Sequence, residues 1–377
     1  MQKVLITGGA GFIGTHLARR LLRQGQEVTL LDSFSPQIHG GLSALPDDLA
    51  GNVRLVVGDV RVAETFHAAL AGQDIVVHLA AETGTGQSMY EVARYTSVNL
   101  AGTAVLMDYL VNHPKSRIQK IITASSRAIY GEGKYRCAAH GVVYPAPRTT
   151  EAMKAGQFEP VCPVCGEPCA SLPTDEESRL SPSSYYGLTK QVQEQMTLLF
   201  ARTHGLSAYA LRYQNVYGPG QSLKNPYTGI LAIFSNQARA GEPIYIFEDG
   251  EESRDFVYIN DVVEATWRCI QPETTGTDSL NVGSGVRTTV REVVEEIVRF
   301  FGSSSLVSVT GGFRLGDIRH NVADLSRVRE CLDFAPRWTF GDGIREFLTW
   351  TQSQEAQTGH YERSLAEMAE KGLMHAT

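Results

Sequence analysis

The sequence predicts an α/β chain built on a doubly wound parallel sheet. Three observations carry this. A short apolar strand at Lys3 to Thr7 runs into glycines spaced Gly8-x-x-Gly11-x-x-Gly14. Short apolar strands then alternate with helical stretches along the first half of the chain. Each strand ends in small or polar residues, where ligands of such sheets collect.

After the glycine turn, a helix is expected through about Gln24, and a second strand over Glu27 to Asp32. Glycines let backbone approach a pyrophosphate, and the helix N-terminus offers N–H groups and a positive dipole end. Asp32 closes the second strand. A carboxylate there accepts hydrogen bonds from ribose hydroxyls and repels a 2′-phosphate, which favours NAD over NADP. Further strands are expected at Val53 to Val57, Ile75 to Leu79 and Lys120 to Ser125. They end at Gly58-Asp59-Val60, Ala80-Ala81 and Ser125-Ser126. Helices are expected between them, over Ala63–Leu70 and Tyr90–Asn112. Asp59 suits the adenine end of a dinucleotide or simply caps the next helix. The fold is Rossmann-like.

The 377 residues carry 34 Lys+Arg against 41 Asp+Glu, a net charge of −7, with 42 % hydrophobic and 20 % charged residues. This excludes a disordered chain. It argues against nucleic acid as a partner, which calls for a basic face. The length suits about two domains. No run of roughly 18 apolar residues occurs, so no membrane span is expected. The first residues read as a strand and lack the apolar core and cleavage site of a signal peptide, so a cytoplasmic location is expected. Four of the six cysteines fall within 33 residues, which in that compartment suggests metal or redox chemistry rather than disulfides.

Downstream, Ser-Pro-Ser-Ser-Tyr185-Tyr186-Gly-Leu-Thr-Lys190 opens a helix. Tyr186 and Lys190 are four apart and share a face. A lysine ammonium beside a phenol lowers the phenol pKa, and a nearby serine hydroxyl can bond the same substrate oxygen. Such a set takes a proton from a sugar or alcohol hydroxyl while hydride leaves carbon for NAD.

With these segments, the chain from Lys3 to about Trp350 resembles the extended short-chain dehydrogenases/reductases, in their nucleotide-sugar epimerase/dehydratase branch. The resemblance implies a catalytic set of Ser126, Tyr186 and Lys190, Ser126 being four before Tyr130 of Ser-x-x-x-Tyr-Gly. It implies NAD contacts from Gly8, Gly11, Phe12, Ile13 and Gly14, from Asp32, Asp59 and Val60, and from Leu79, Ala80, Ala81 and Asn99. Tyr186 and Lys190 join them, with Tyr213, Asn215 and Val216 lining the nicotinamide. Arg212-Tyr-Gln-Asn215-Val-Tyr-Gly-Pro, Arg254-Asp-Phe-Val-Tyr-Ile-Asn-Asp261 and Gly316-Asp-Ile-Arg319 match family segments. They imply substrate contacts from Asn215 and Arg254 at the diphosphate and from Arg319 near the nucleoside, arginine forks pairing with phosphate oxygens. For the two arginines, the alternative is a surface ion pair. Thr83-Gly-Thr-Gly-Gln-Ser88 is either a sugar contact, through Thr85, or a flexible turn.

Dehydratases of this branch, and its decarboxylating members, carry an acidic residue within Ser/Thr-x-x-x-Tyr. Here Arg127, Ala128 and Ile129 occupy it, while Asp175, Glu176 and Glu177 lie in a loop. The resemblance therefore implies C4 epimerisation without net redox. Other enzymes on the same sugars, a UDP-hexose 4-epimerase or a 4-ketoreductase, are the alternatives, and a non-catalytic NAD-binding scaffold is a third.

Sixty positions separate Ser126 from Tyr186, and the family uses far fewer. The extra segment holds Cys137-Ala-Ala-His140-Gly and Cys162-Pro-Val-Cys165-Gly. Each is a knuckle with two ligands spaced by two residues and a turn glycine. Together, Cys137, His140, Cys162 and Cys165 suit a closed, structural zinc site. Cys169 is the alternative to His140, and Cys269 and Cys331 read as packing residues. With Gln221-Ser-Leu-Lys-Asn-Pro-Tyr-Thr-Gly229 and Phe247-Glu-Asp-Gly250, this insertion resembles the dTDP-L-rhamnose 4-epimerase subgroup, implying dTDP-L-rhamnose and dTDP-6-deoxy-L-talose as the sugar pair. The expected organisation is a Rossmann domain over 1–218, with 256–279 returning to it. A zinc-binding insertion occupies 133–172. A nucleotide-sugar domain takes 219–255 and 280–350, and a polar, helix-prone tail runs over 351–377. The resemblance implies a homodimer packing helices near Tyr90–Asn112 and Tyr186–Thr203.

Overall fold

A computed structural model describes all residues except 42, 224, 226–228, 356–359 and 376–377. The Gln221–Gly229 motif therefore lies partly outside the described residues.

Seven parallel strands form the central sheet, in the order Thr277–Val282, Ser207–Tyr213, Lys120–Ser126, Ile75–His78, Lys3–Thr7, Glu27–Asp32, Arg54–Val57. Val4 stands opposite both Val28 and Ile75. Lys3–Thr7 is thus the strand from which the chain winds outward in both directions, and a crevice opens beyond its carboxyl end. The strand sequence Val4-Leu5-Ile6 is apolar at every position because both faces are covered. Val4 and Ile6 pack against Leu17 and Leu21 of helix Phe12–Arg23. Leu5 faces the other layer with Phe66, Leu106 and Leu198. Truncating Leu5, fully buried, to alanine would cost about 2–5 kcal/mol.

Two expectations change. Thr277–Val282 completes the central sheet, so the boundary expected at 279/280 falls inside a strand. The helix expected over Tyr90–Asn112 is split into Val92–Thr96, a π-helical turn Ser97–Ala101, and Gly102–Asn112. The wider turn carries Asn99 inward, where it bonds Glu82 and Thr189.

The smaller lobe joins short strand pairs, such as Ile244–Ile246 with Val307–Val309, to helices Ile230–Ala240 and Val290–Phe301. The latter begins with a capping box from Thr289 and Glu292. The insertion is a three-stranded antiparallel sheet over Tyr135–Cys137, Gly141–Val143 and Ala170–Ser171. Its own core is only Tyr135, Cys137, Val143, Cys162 and Cys169, too few to hold it unaided. The tail forms helix His360–Glu370 and strand Met374–His375, which pairs antiparallel with Phe313–Arg314. No helix among the described residues is long and apolar enough to cross a membrane.

Candidate active site

A cavity of about 820 Å³ runs from the glycine turn, past the ends of the central strands, to the smaller lobe. Its first end is a cradle for backbone approach. Gly8 sits at φ 66°, and a Cβ there would meet Ala80 N at 3.0 Å. A Cβ on Gly14 would come within 2.6 Å of Gly8 O, so the helix starts tight against the turn. Gly11, Phe12, Ile13, Asp59, Val60, Leu79, Ala80 and Ala81 also line this end. Asp32 is buried with its oxygens held by the N–H groups of Ala10 and Phe34, both at 2.9 Å. Arg61 binds Asp59 through its backbone and guanidinium, and these bonds hold the Asp59 carboxyl low.

Strand Lys120–Ser126 presents its two terminal serines differently. Ser125 Oγ donates to buried Glu194 Oε2 at 2.5 Å. Ser126 Oγ accepts from Ala128 N at 3.1 Å, and Ser126 and Tyr186 line the same stretch of cavity. Tyr186 lies in the first turn of helix Tyr185–His204, which Ser184 caps by accepting from Gly187 N. Burial pushes the Tyr186 phenol up, while the Ser126 bond and the Arg127 charge pull it down.

Lys190 behaves differently from the expectation. It shares the helix face with Tyr186 and lines the cavity, yet its ammonium donates to Ala124 O and Gln193 Oε1, both at 2.8 Å. Burial lowers it to about 7. The cation acting on the phenol is Arg127, itself lowered to about 10 by burial and by Arg254. Only the folded chain places Arg127 there, although it follows Ser126 directly in sequence.

Behind the site, Arg212 pairs with Glu194 at 2.6 Å and donates to Tyr130 Oη at 2.8 Å. Tyr130 in turn donates to Asn281. This buried network ties strands Lys120–Ser126 and Ser207–Tyr213 to helix Tyr185–His204. Tyr213 donates or accepts with Thr266 at 2.8 Å. Val216 and Asn215 line the cavity, and among the described residues Asn215 Oδ1 and Gln214 Oε1 are buried without a partner. Orphaned acceptors facing a cavity suit a ligand that donates hydrogen bonds.

At the far end, Arg254 lines the cavity and pairs with Asp317 at 2.8 Å. Burial raises the Asp317 carboxyl, but Arg254, Arg314, Arg148 and Arg127 outweigh this and hold it well below the carboxylate range. Thr85 lines the cavity too. The acid of the Arg254-Asp255 motif is structural, accepting from Ser284, Gly285 and Ala323 backbone N–H groups.

Two expected contacts are not brought to the cavity. Arg319 is 1 % exposed and sits among Glu159, Glu248 and Asp249 at 2.7–3.0 Å. The carboxylates and guanidinium compensate one another there, so Arg319 belongs to a buried ion-pair cluster, neither the substrate contact nor the surface pair expected. Asn99 is fully buried and supports the cavity wall through Glu82 without lining it. Sequence reasoning also passed over Arg314 and Asp317. The Gly316-Asp317 pair inside the last motif was their only signal.

In the insertion, the ligand atoms of Cys137, His140, Cys162 and Cys165 lie within 4.8 Å of one another. Cys137 Sγ is 3.6 Å from His140 Nδ1 and 3.7 Å from Cys165 Sγ, and Cys162 Sγ is 3.6 Å from the same nitrogen. Ligands about 2.3 Å from a tetrahedral zinc stand about 3.8 Å apart. The His140 hydrogen bond pulls the Cys137 thiol down to about 6. Cys169 stays outside the set, its thiol donating to Glu167 O at 3.7 Å, and burial raises it to about 11.

The pattern that defines the NAD dependent epimerase/dehydratase family matches residues 4–155 and 161–283. The chain belongs to this family. Among epimerase/dehydratase relatives, a dTDP-L-rhamnose 4-epimerase of Burkholderia thailandensis is 38 % identical over 352 residues, covering 93 % of this chain and 94 % of that protein. Solved structures are similar as well. A UDP-N-acetylglucosamine 4-epimerase of Methanobrevibacter ruminantium, in complex with UDP-N-acetylmuramic acid, superposes with a TM-score of 0.76 at 29 % identity. The overlap covers 94 % of this chain and 99 % of that one. MoeE5 in complex with UDP-glucuronic acid and NAD superposes with a TM-score of 0.75 at 28 % identity, covering 94 % and 100 %.

Proposed function

We propose that this protein is an NAD-dependent nucleotide-sugar 4-epimerase, interconverting dTDP-L-rhamnose and dTDP-6-deoxy-L-talose. The observation that carries the reaction type is Arg127. It occupies the position after Ser126 where elimination of water would need a carboxylate, and its charge bears on the Tyr186 phenol. The sugar assignment rests on the 38 % identity to the Burkholderia enzyme.

The glycine cradle, Asp32 and the orphaned acceptors at Gln214 and Asn215 fit a dinucleotide. NAD held there would supply the hydride acceptor and donor for C4. The protein does the rest. Tyr186 holds and returns the O4 proton, with Arg127 stabilising the phenolate. Ser126 hydrogen-bonds O4 and fixes it beside the phenol. Lys190, anchored on Ala124 O and Gln193 Oε1 at the cavity wall, presents a cation to the cofactor side of the site. Arg254 takes the substrate diphosphate, exchanging part of its pairing with Asp317. In the insertion, zinc held by Cys137, His140, Cys162 and Cys165 replaces the missing core. Exposed Val111, Tyr185, Leu188 and Leu199 on the two long helices support a homodimer through that face.

Incubation with dTDP-L-rhamnose, without NADPH, tests the reading: a C4 epimer should accumulate. Turnover of UDP-glucose alone, or only with NADPH, would overturn it. Tyr186→Phe should keep its cofactor and lose at least about 100-fold in kcat. Retention of most activity would remove Tyr186 as the base.

A further inference from the structure

The C-terminal helix lies beyond the segment matched by the family pattern, yet it reaches the substrate end of the cavity. Met368 is buried. Its Sδ stands 2.9 Å from where a Cβ on Gly86 would be, so the tail packs directly against the Thr85–Ser88 turn. Leu373 N donates to Met368 O, and Leu315 N donates to Leu373 O, both at 2.9 Å. The tail is thereby laced onto the Arg314–Asp317 segment.

Between the tail and Thr85 lies a side chamber of about 20 Å³, with Met89, Leu315, Met368 and Leu373 as its apolar walls. That is space for one water-sized or methyl-sized group. Thr85, Arg314 and Asp317 line both this chamber and the main cavity, so the two adjoin. Ser184, which also borders the chamber, precedes Tyr186 by two residues and caps its helix. The chamber therefore lies at the phenol's end of the site, remote from the glycine turn.

We propose that the C-terminal segment completes the hexose subsite and that Met368 is a specificity-determining residue, walling a chamber that takes the C6 methyl of a 6-deoxyhexose. This rests on the 4-epimerase reading above. In a hexose, C6 is two bonds from C4, so a sugar whose O4 meets Tyr186 carries C6 close by. A methyl fills the chamber against thioether and leucyl carbons. A hydroxymethyl adds a further heavy atom, for which a chamber with space for one methyl-sized group leaves no room.

The test measures binding by calorimetry, with the NAD-loaded protein and three probes: dTDP, dTDP-L-rhamnose, and dTDP-L-mannose, which differs from the second only by the C6 hydroxyl. The wild-type chain should prefer dTDP-L-rhamnose to dTDP-L-mannose by about tenfold or more. Met368→Glu, and a chain ending at Glu355, should lose that preference while dTDP affinity stays unchanged. Met368→Leu should keep it. A preference that survives both changes overturns the proposal, as does an equal loss of affinity for all three probes. So does a wild-type chain that shows no preference. A wild-type chain that shows the preference but forms no C4 epimer supports the chamber and defeats the 4-epimerase reading instead.

Discussion

Glu194→Gln isolates the buried pair behind the site. Glu194 and Arg212 are 3 % and 5 % exposed at their side chains. Arg212 Nε and Nη2 reach Glu194 at 2.6–3.2 Å, and Ser125 Oγ donates to the same carboxylate. Glutamine preserves the volume but leaves the guanidinium charge buried and unbalanced. Breaking such a pair costs about 3–5 kcal/mol. An unfolding entropy of about 2.1 cal/mol/K per residue, over 377 residues, is about 0.8 kcal/mol/K, so the thermal midpoint should fall by about 4–6 °C. Differential scanning calorimetry reads this directly. Removing both charges, as Glu194→Met with Arg212→Met, should recover most of the loss, because no charge is then stranded. A single-variant loss under about 1 kcal/mol, the range of surface pairs, would refute the buried geometry.

Other outcomes are expected at separate sites. Arg127→Met leaves the burial of Tyr186 less opposed, so the phenol rises and the activity limb that requires phenolate should move to higher pH; a kcat profile with an unmoved limb contradicts this. The purified protein should contain about one zinc per chain, and a chelator should release it and lower the midpoint of thermal unfolding. Metal analysis that finds none, with freely reactive cysteines, ends that assignment. Burial raises the Glu159 carboxyl, but bonds to His320 and Arg319 outweigh this and hold it at about 2. A depressed carboxylate stabilises the folded state above its usual value of 4.5, and that contribution fades as pH falls toward 2. Glu159→Gln should therefore weaken the protein at pH 6 and flatten its acid dependence between pH 5 and 3, read by thermal unfolding across that range.

The sequence by itself determined the local and repetitive features. Gly8, Gly11 and Gly14 followed a strand and opened a helix, and such a turn is set by backbone sterics within a few residues. The apolar strand runs specified a sheet covered on both faces. The knuckle spacings brought Cys137 to His140 and Cys162 to Cys165 because a two-residue gap closes a turn wherever it occurs. Tertiary structure decided matters of charge and distance between segments far apart in the chain. Lys190 and Tyr186 share a helix face, but where an ammonium points depends on which carbonyls the fold brings near it, here that of Ala124. Arg319 sits in a motif that suits a phosphate, yet Glu159 of the insertion and Asp249 of the smaller lobe converge on it first. The tail shows no family motif, and Met368 gained a place beside the cavity because the following strand, Met374–His375, pairs with Phe313–Arg314. Electrostatic and packing energies depend on separation in space, and sequence spacing fixes that separation only within a turn or two.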